Sequence, residues 1–228
     1  SIDSVLHDTA QRFVGDTHAA ALVDAWDRFE EALSWQPPVP LFTGFGFCWQ
    51  RTFDRPYVPD IEAIPEAERA YYERLGCFQH NNPGINDLGK DVLFDLVPQA
   101  YGALATQRFD RNVFPRLARL LRDLAKLQAK TAGTPAVQAV FTDLLDRARA
   151  YRAWCGSLRT VCAWCAHVHG YLNSPSAAAR RRHERQLQDA IDFELANTAD
   201  LIALLEGAST EVSVAAFRSS FSDSSTSG

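Results

Sequence analysis

Residues 134–173 read TPAVQAVFTDLLDRARAYRAWCGSLRTVCAWCAHVHGYLN. Steps of four and three along this stretch meet Val137, Phe141, Leu144, Ala148, Tyr151, Cys155, Leu158, Cys162, Cys165, His169 and Leu172. A helix turns once in about 3.6 residues, so this spacing keeps all of them on one face. Thr134 suits the N-cap, and Pro135 suits the first helical position, where its missing N–H costs nothing. Asn173-Ser174-Pro175 ends the run. So long a seam needs several neighbours to cover it. The predicted fold is therefore all-α, a multi-helix bundle around one long central helix at about 134–173.

The flanking sequence supplies candidate neighbours. Ile2 to Val14 is a helix pattern with Gly15 as its stop. Asp16 is placed to cap a second helix to about Trp35, with Leu22, Trp26, Phe29 and Leu33 inward, ended by Pro37, Pro38 and Pro40. Pro65-Glu66-Ala67-Glu68 starts a short helix carrying Tyr71, Tyr72 and Leu75. Helical pattern resumes near Asp91 and, after Pro98, runs to Lys130 with the stripe Leu117, Leu120, Leu124 and Leu127. Pro115 marks a start or a kink within it. Ser176 caps a final helix to Glu206, with Leu187, Ile191, Leu195, Ile202 and Leu205 inward and Gly207 at its close. Residues 1–207 are read as a single helical domain, and 208–228 as a Ser/Thr-rich tail or linker.

Two segments break the periodicity. Residues 41–60 hold Phe42, Phe45, Phe47, Trp49, Phe53 and Tyr57 among glycines, prolines and the arginines Arg51 and Arg55. Residues 77–89 are rich in Asn, Gly and Pro. Long loops of this kind inside compact domains are usually functional.

Composition narrows the function classes. Twenty-three Lys and Arg against 28 Asp and Glu leave a net charge of −5, which disfavours nucleic acid as a partner. No run approaches the roughly 20 apolar residues needed to span a bilayer, and residues 1–15 lack a signal-peptide core. Five cysteines, an odd number, with three on one predicted helix face argue against a disulfide framework. Reduced thiols lean towards the cytoplasm. The chain has no methionine and starts at Ser1, which fits a piece excised from a longer protein.

The chemistry-bearing residues each have a bland reading. Cys155, Cys162, Cys165, His167 and His169 suggest a metal, but Cys155 and Cys162 lie roughly 10 Å apart along a helix. They also occupy core positions, where cysteine packs as a small hydrophobe, so no metal and no cofactor are assigned. Glu30 with Glu31, Glu66 with Glu68, and Asp189 with Asp192 fall on polar faces. Arg180-Arg181-Arg182-His183-Glu184-Arg185 is a solvated face at a helix end whose dipole prefers acids. The best lead is the aromatic loop, because flat rings beside Arg and Asp suit a sugar's apolar face and hydroxyls. The expected substrate-binding set is Trp49, Arg51, Asp54, Arg55 and Tyr57 with His80, Asn82 and Asp87; no catalytic residue is assigned.

Several segments resemble the C-terminal helical accessory region of large bacterial glycoside hydrolases, the part that follows the catalytic barrel. The residues carrying this are Ala25-Trp26 through Phe29 and Ala32 with the proline-rich exit, Arg55-Pro56-Tyr57-Val58-Pro59-Asp60, Tyr71-Tyr72, Asn82-Pro83, and Phe109-Asp110 with Pro115. The resemblance implies a non-catalytic domain that packs on the barrel of the same parent chain and contributes loops near the sugar site. This chain has neither the length nor the strand pattern for a barrel. Two alternatives stand beside it. One is a free-standing helical binding or scaffold protein that self-associates as a homodimer. The other is a small hydrolase or metal enzyme using His80 and Asp87, or the Cys162, Cys165 and His169 face.

Overall fold

Glycine at 15, prolines at 98 and 135, and serine at 176 divide the chain into helices. The computed structural model describes residues 2–38, 65–68, 70, 97–208 and 210. Among them are α1 (Ile2–Val14), α2 (Asp16–Ser34), α3 (Gln99–Arg108), a π-helical turn (Phe109–Val113), α4 (Phe114–Lys130), α5 (Pro135–Asn173) and α6 (Ala177–Gly207). The described residues contain no strand, so the fold is all-α. No helix among them is long and apolar enough to cross a membrane.

Gly15 makes the first junction. Its φ of +71° is the left-handed conformation that glycine adopts without steric cost. Its N–H donates to Gln11 O at 2.8 Å, closing α1, and its own carbonyl accepts from His18 and Ala19, opening α2. The cap of α2 is therefore Gly15, and Asp16 is the first helical residue, where its carboxylate still meets the favourable end of the dipole. The buried stripe of α2 runs through Ala19, Leu22, Ala25 and Ala32, leaving Leu33 exposed instead of inward. Each step of three falls about 60° short of a full turn, so the stripe rotates around the helix.

Proline 115 explains the π-turn. Lacking an N–H, it cannot bond the carbonyl four residues back, and its ring would strike that turn. The helix widens just before it, and Phe114 N–H donates to Phe109 O instead. The Arg116 side chain satisfies Asn112 O at 3.0 Å. Between the two alternatives at Pro115, the structure shows a distortion within a continuing helix and not a start. Leu117, Leu120 and Leu124 are buried as the stripe predicts.

Gln138 N–H donates to Thr134 O, so α5 begins at the expected cap. Ser176 caps α6, its Oγ accepting from Ala179 N–H at 3.2 Å. The inward face of α6 is otherwise corrected. Leu187, Ala190 and Asn197 are buried, whereas Leu195, Ile202 and Leu205 are exposed, Leu195 at 66%. Leu195 stands two residues from Asn197, about 200° round the helix, so burying the amide turns the leucine outward.

The described residues form two compact units. The described residues of the first fall within Ser1–Glu30, Leu117–Arg152 and Asp200–Gly228. Leu22, Leu117, Leu120, Leu124, Phe141, Leu145 and Ala148 form its buried interior. Phe29 meets Tyr151 edge-on with ring centres 5.3 Å apart, and Arg28 pairs with Asp123 at 2.6 Å.

The described residues of the second unit fall within Glu31–Arg116 and Ala153–Ala199. Here every residue of α5 from Thr160 to Ala166 is buried. A helix covered all round needs close neighbours on every side. Gly102 of α3 provides one such approach: a methyl group at its Cα would stand 2.5 Å from Cys162 O and 3.2 Å from Ala166 Cβ. On the other side of the unit's core, Trp164 and Val168 pack with Leu187 and Ile191. At the end of α2, Trp35 lies under the guanidinium of Arg116, which also pairs with Glu31 at 2.8 Å. The seam predicted for α5 holds through Cys165. It ends sooner than expected, since His169 is half-buried and Leu172 is exposed.

Candidate functional site

All eight residues of the expected substrate-binding set lie outside the described residues: Trp49, Arg51, Asp54, Arg55, Tyr57, His80, Asn82 and Asp87. So do both irregular segments, 41–60 and 77–89. Among the described residues, each unit holds a cluster of interacting polar groups.

In the second unit, α5 carries a second 4-3 series: Ala153, Ser157, Thr160, Trp164 and His167. It is offset by two residues from the seam through Cys155, Leu158, Cys162 and Cys165, which places it about 200° round the helix. This second face meets α6. Asn197, 6% exposed, donates from Nδ2 to Ala153 O at 2.8 Å and to Ser157 Oγ at 3.4 Å. Ser157 Oγ donates in turn to Glu194 Oε1 at 2.5 Å. Gly156 leaves room for the amide, since a methyl group there would collide with the Asn197 side chain. Further along, His167 and His183 face each other with their Nδ1 atoms 3.4 Å apart. Burial, then the neighbouring His183, Arg159 and Arg182, push His167 down to about 4, against which Asp189 acts weakly.

Arg159 ties this face to the π-turn. Its Nε and Nη2 donate to the two carboxylate oxygens of Asp110 at 3.0 and 3.1 Å. Its Cζ lies 4.6 Å from the centre of the Phe193 ring. A lysine has neither the fork nor the flat face. Arg159→Lys is therefore expected to cost about 1 kcal/mol, held down by the exposure of Asp110, and a shifted urea midpoint measures it.

The sulphur face is core. Cys155, Cys162 and Cys165 are buried. Burial pushes the Cys162 thiol up to about 12, so it stays protonated and poorly nucleophilic at neutral pH. Among the described residues, no three His, Cys, Asp or Glu side chains gather closely enough to hold a metal ion.

In the first unit, Gln128, Thr142, Asp146 and Arg149 line a cavity of about 390 Å³, closed on the apolar side by Ala203 and Leu204. Asp146 is buried. Its carboxylate accepts from Arg149 at 3.3 Å and from Thr210 Oγ1 at 3.1 Å. Gln128 Nε2 donates to Thr142 Oγ1 at 2.8 Å. These groups largely satisfy one another.

Sequence reasoning misses the second face of α5 because it searches for apolar periodicity. The available signal is the same 4-3 spacing carried mostly by small and polar residues, with Trp164 among them, opposite Asn197, Glu194 and His183. Comparison of the chain with protein-family models, with curated proteins and with solved structures finds no match.

Proposed function

We propose that this chain is a non-catalytic helical accessory domain of a carbohydrate-active enzyme. In this reading it packs on a catalytic barrel of the same parent chain and offers segments 41–60 and 77–89 to the sugar site. One observation carries it: the described residues of the glycoside hydrolase resemblance serve the frame. Ala25, Ala32 and Phe109 are buried, Asp110 anchors Arg159, and Pro115 follows the π-turn. A likeness carried by framework positions is what a structural region of such an enzyme would retain, with the chemistry residing in the barrel.

The expected result is that the purified chain releases no aryl alcohol from aryl glycosides. Titration calorimetry with a panel of mono- and oligosaccharides is expected to register binding that Trp49→Ala weakens about tenfold, the loss of one stacked ring. Turnover by the isolated chain, or absence of sugar binding with the folded protein, overturns the reading.

Exposed Ile202 and Leu205 on α6 favour one alternative, a helical protein that self-associates. Light scattering separates the two, since a stable symmetric dimer without a barrel partner supports self-association.

A further inference from the structure

We propose that His167 and His183 form an acid-releasable latch holding the N-terminal half of α6 against α5. The two ring centres are 5.6 Å apart and the Nδ1 atoms 3.4 Å apart. The difference between those lengths equals two ring radii, so both nitrogens stand on the line joining the rings. Such a head-to-head contact is bonded in only one way. One imidazole donates its Nδ1–H and the other, which must stay neutral, accepts with its Nδ1 lone pair. His167, whose protonation is the more strongly resisted, is the acceptor; a second proton, added to its Nδ1 while the donor keeps its own, sets two N–H groups against each other and removes the bond.

The surroundings make that second proton costly. His167 is part-buried, and the charges bearing on it come from both helices: Arg159 on α5, and Arg182, His183 and Asp189 on α6. The cations outnumber the acid. The His183 ring also lies against Gly170, where a methyl group would collide with it, so the ring is braced by α5 backbone. Below the latch, Leu187 and Ile191 pack on Trp164 and Val168. Opening therefore stops there and frees the turns from Ala177 to about His183.

The sign follows from the direction of the shift. An unfolded or detached His167 takes up its proton near the ordinary value of 6.5, the latched one near 4. The latch is fully formed above about pH 6.5, weakens as pH falls towards 4, and weakens no further below that.

Amide hydrogen exchange on the full chain, corrected for intrinsic rates, tests this. Amides of residues 180–186 are expected to lose roughly tenfold or more of their protection between pH 7 and pH 4.5, fewer than the two decades of an unscreened shift. Amides of Leu117–Leu124 on α4 should stay level. His183→Phe, which fills the same space without titrating, is expected to abolish the pH dependence. An NMR titration of the wild-type imidazoles serves if that variant does not fold. Level protection of 180–186 across this range, unchanged pH dependence in His183→Phe, or a His167 ring titrating at 6.5 or above would each overturn the latch.

Discussion

Gly102→Ala is expected to lower the melting temperature by roughly 6–12 °C. Helix propensity alone argues the opposite, since alanine is favoured over glycine by about 1 kcal/mol inside a helix. Packing decides the sign. The new methyl group would lie 2.5 Å from the backbone oxygen of Cys162 and 3.3 Å from the backbone nitrogen of Ala166. Both belong to α5 where that helix is buried on every side, so neither can swing away as a side chain would. Helices α3 and α5 must part, at a net cost near the top of the overpacking range, about 3 kcal/mol. For a chain of this size, 1 kcal/mol corresponds to roughly 2–4 °C. Gly133→Ala is the control, because nothing lies within 4 Å of its added methyl, and its midpoint should hardly move. Differential scanning calorimetry on both variants gives the answer. A rise at Gly102 would mean that the two helices are not in close contact.

Asn197→Asp is expected to cost about 3–5 kcal/mol at pH 7, the penalty of a buried charge without a partner. The amide donates to Ala153 O and Ser157 Oγ, and the Glu194 carboxylate stands just beyond that serine. A carboxylate in its place offers only acceptors to a carbonyl and adds a like charge to Glu194. Burial and those neighbours raise the introduced carboxyl above the ordinary value of about 3.9. A raised acid is penalised above its folded pKa and relieved as pH falls through it. The gap in urea midpoint between variant and parent should therefore narrow from pH 7 to pH 5. The comparison is made at each pH, since His167 weakens the parent itself over the same range. Equal midpoints at pH 7 would show that Asn197 is not a buried donor.

The ends of the helices are legible in the amino-acid order alone. Gly15 stops α1 because its left-handed backbone is local chemistry, and Ser176 caps α6 for the same kind of reason. Leu117, Leu120 and Leu124 are legible as a stripe because one face of α4 is apolar and the others are not. Asn197 is not. An inward amide is indistinguishable from an outward one until a carbonyl and a hydroxyl are found opposite it. Apolarity alone points Leu195, Ile202 and Leu205 inward; all three are exposed, and burying Asn197 turns Leu195 away. The expected sugar-binding residues, from Trp49 to Asp87, rest on composition, and they lie outside the described residues.

The chain by itself determined that it is helical, and set where α1, α5 and α6 begin or end, because capping and the 3.6-residue repeat act within a few residues. Only the tertiary structure decided that α5 is buried on two opposite faces and that Pro115 widens a helix instead of starting one. It also brought His167 to His183 and Arg159 to Asp110. Those outcomes depend on which neighbour covers which face, and that is set by contacts between residues far apart in the chain.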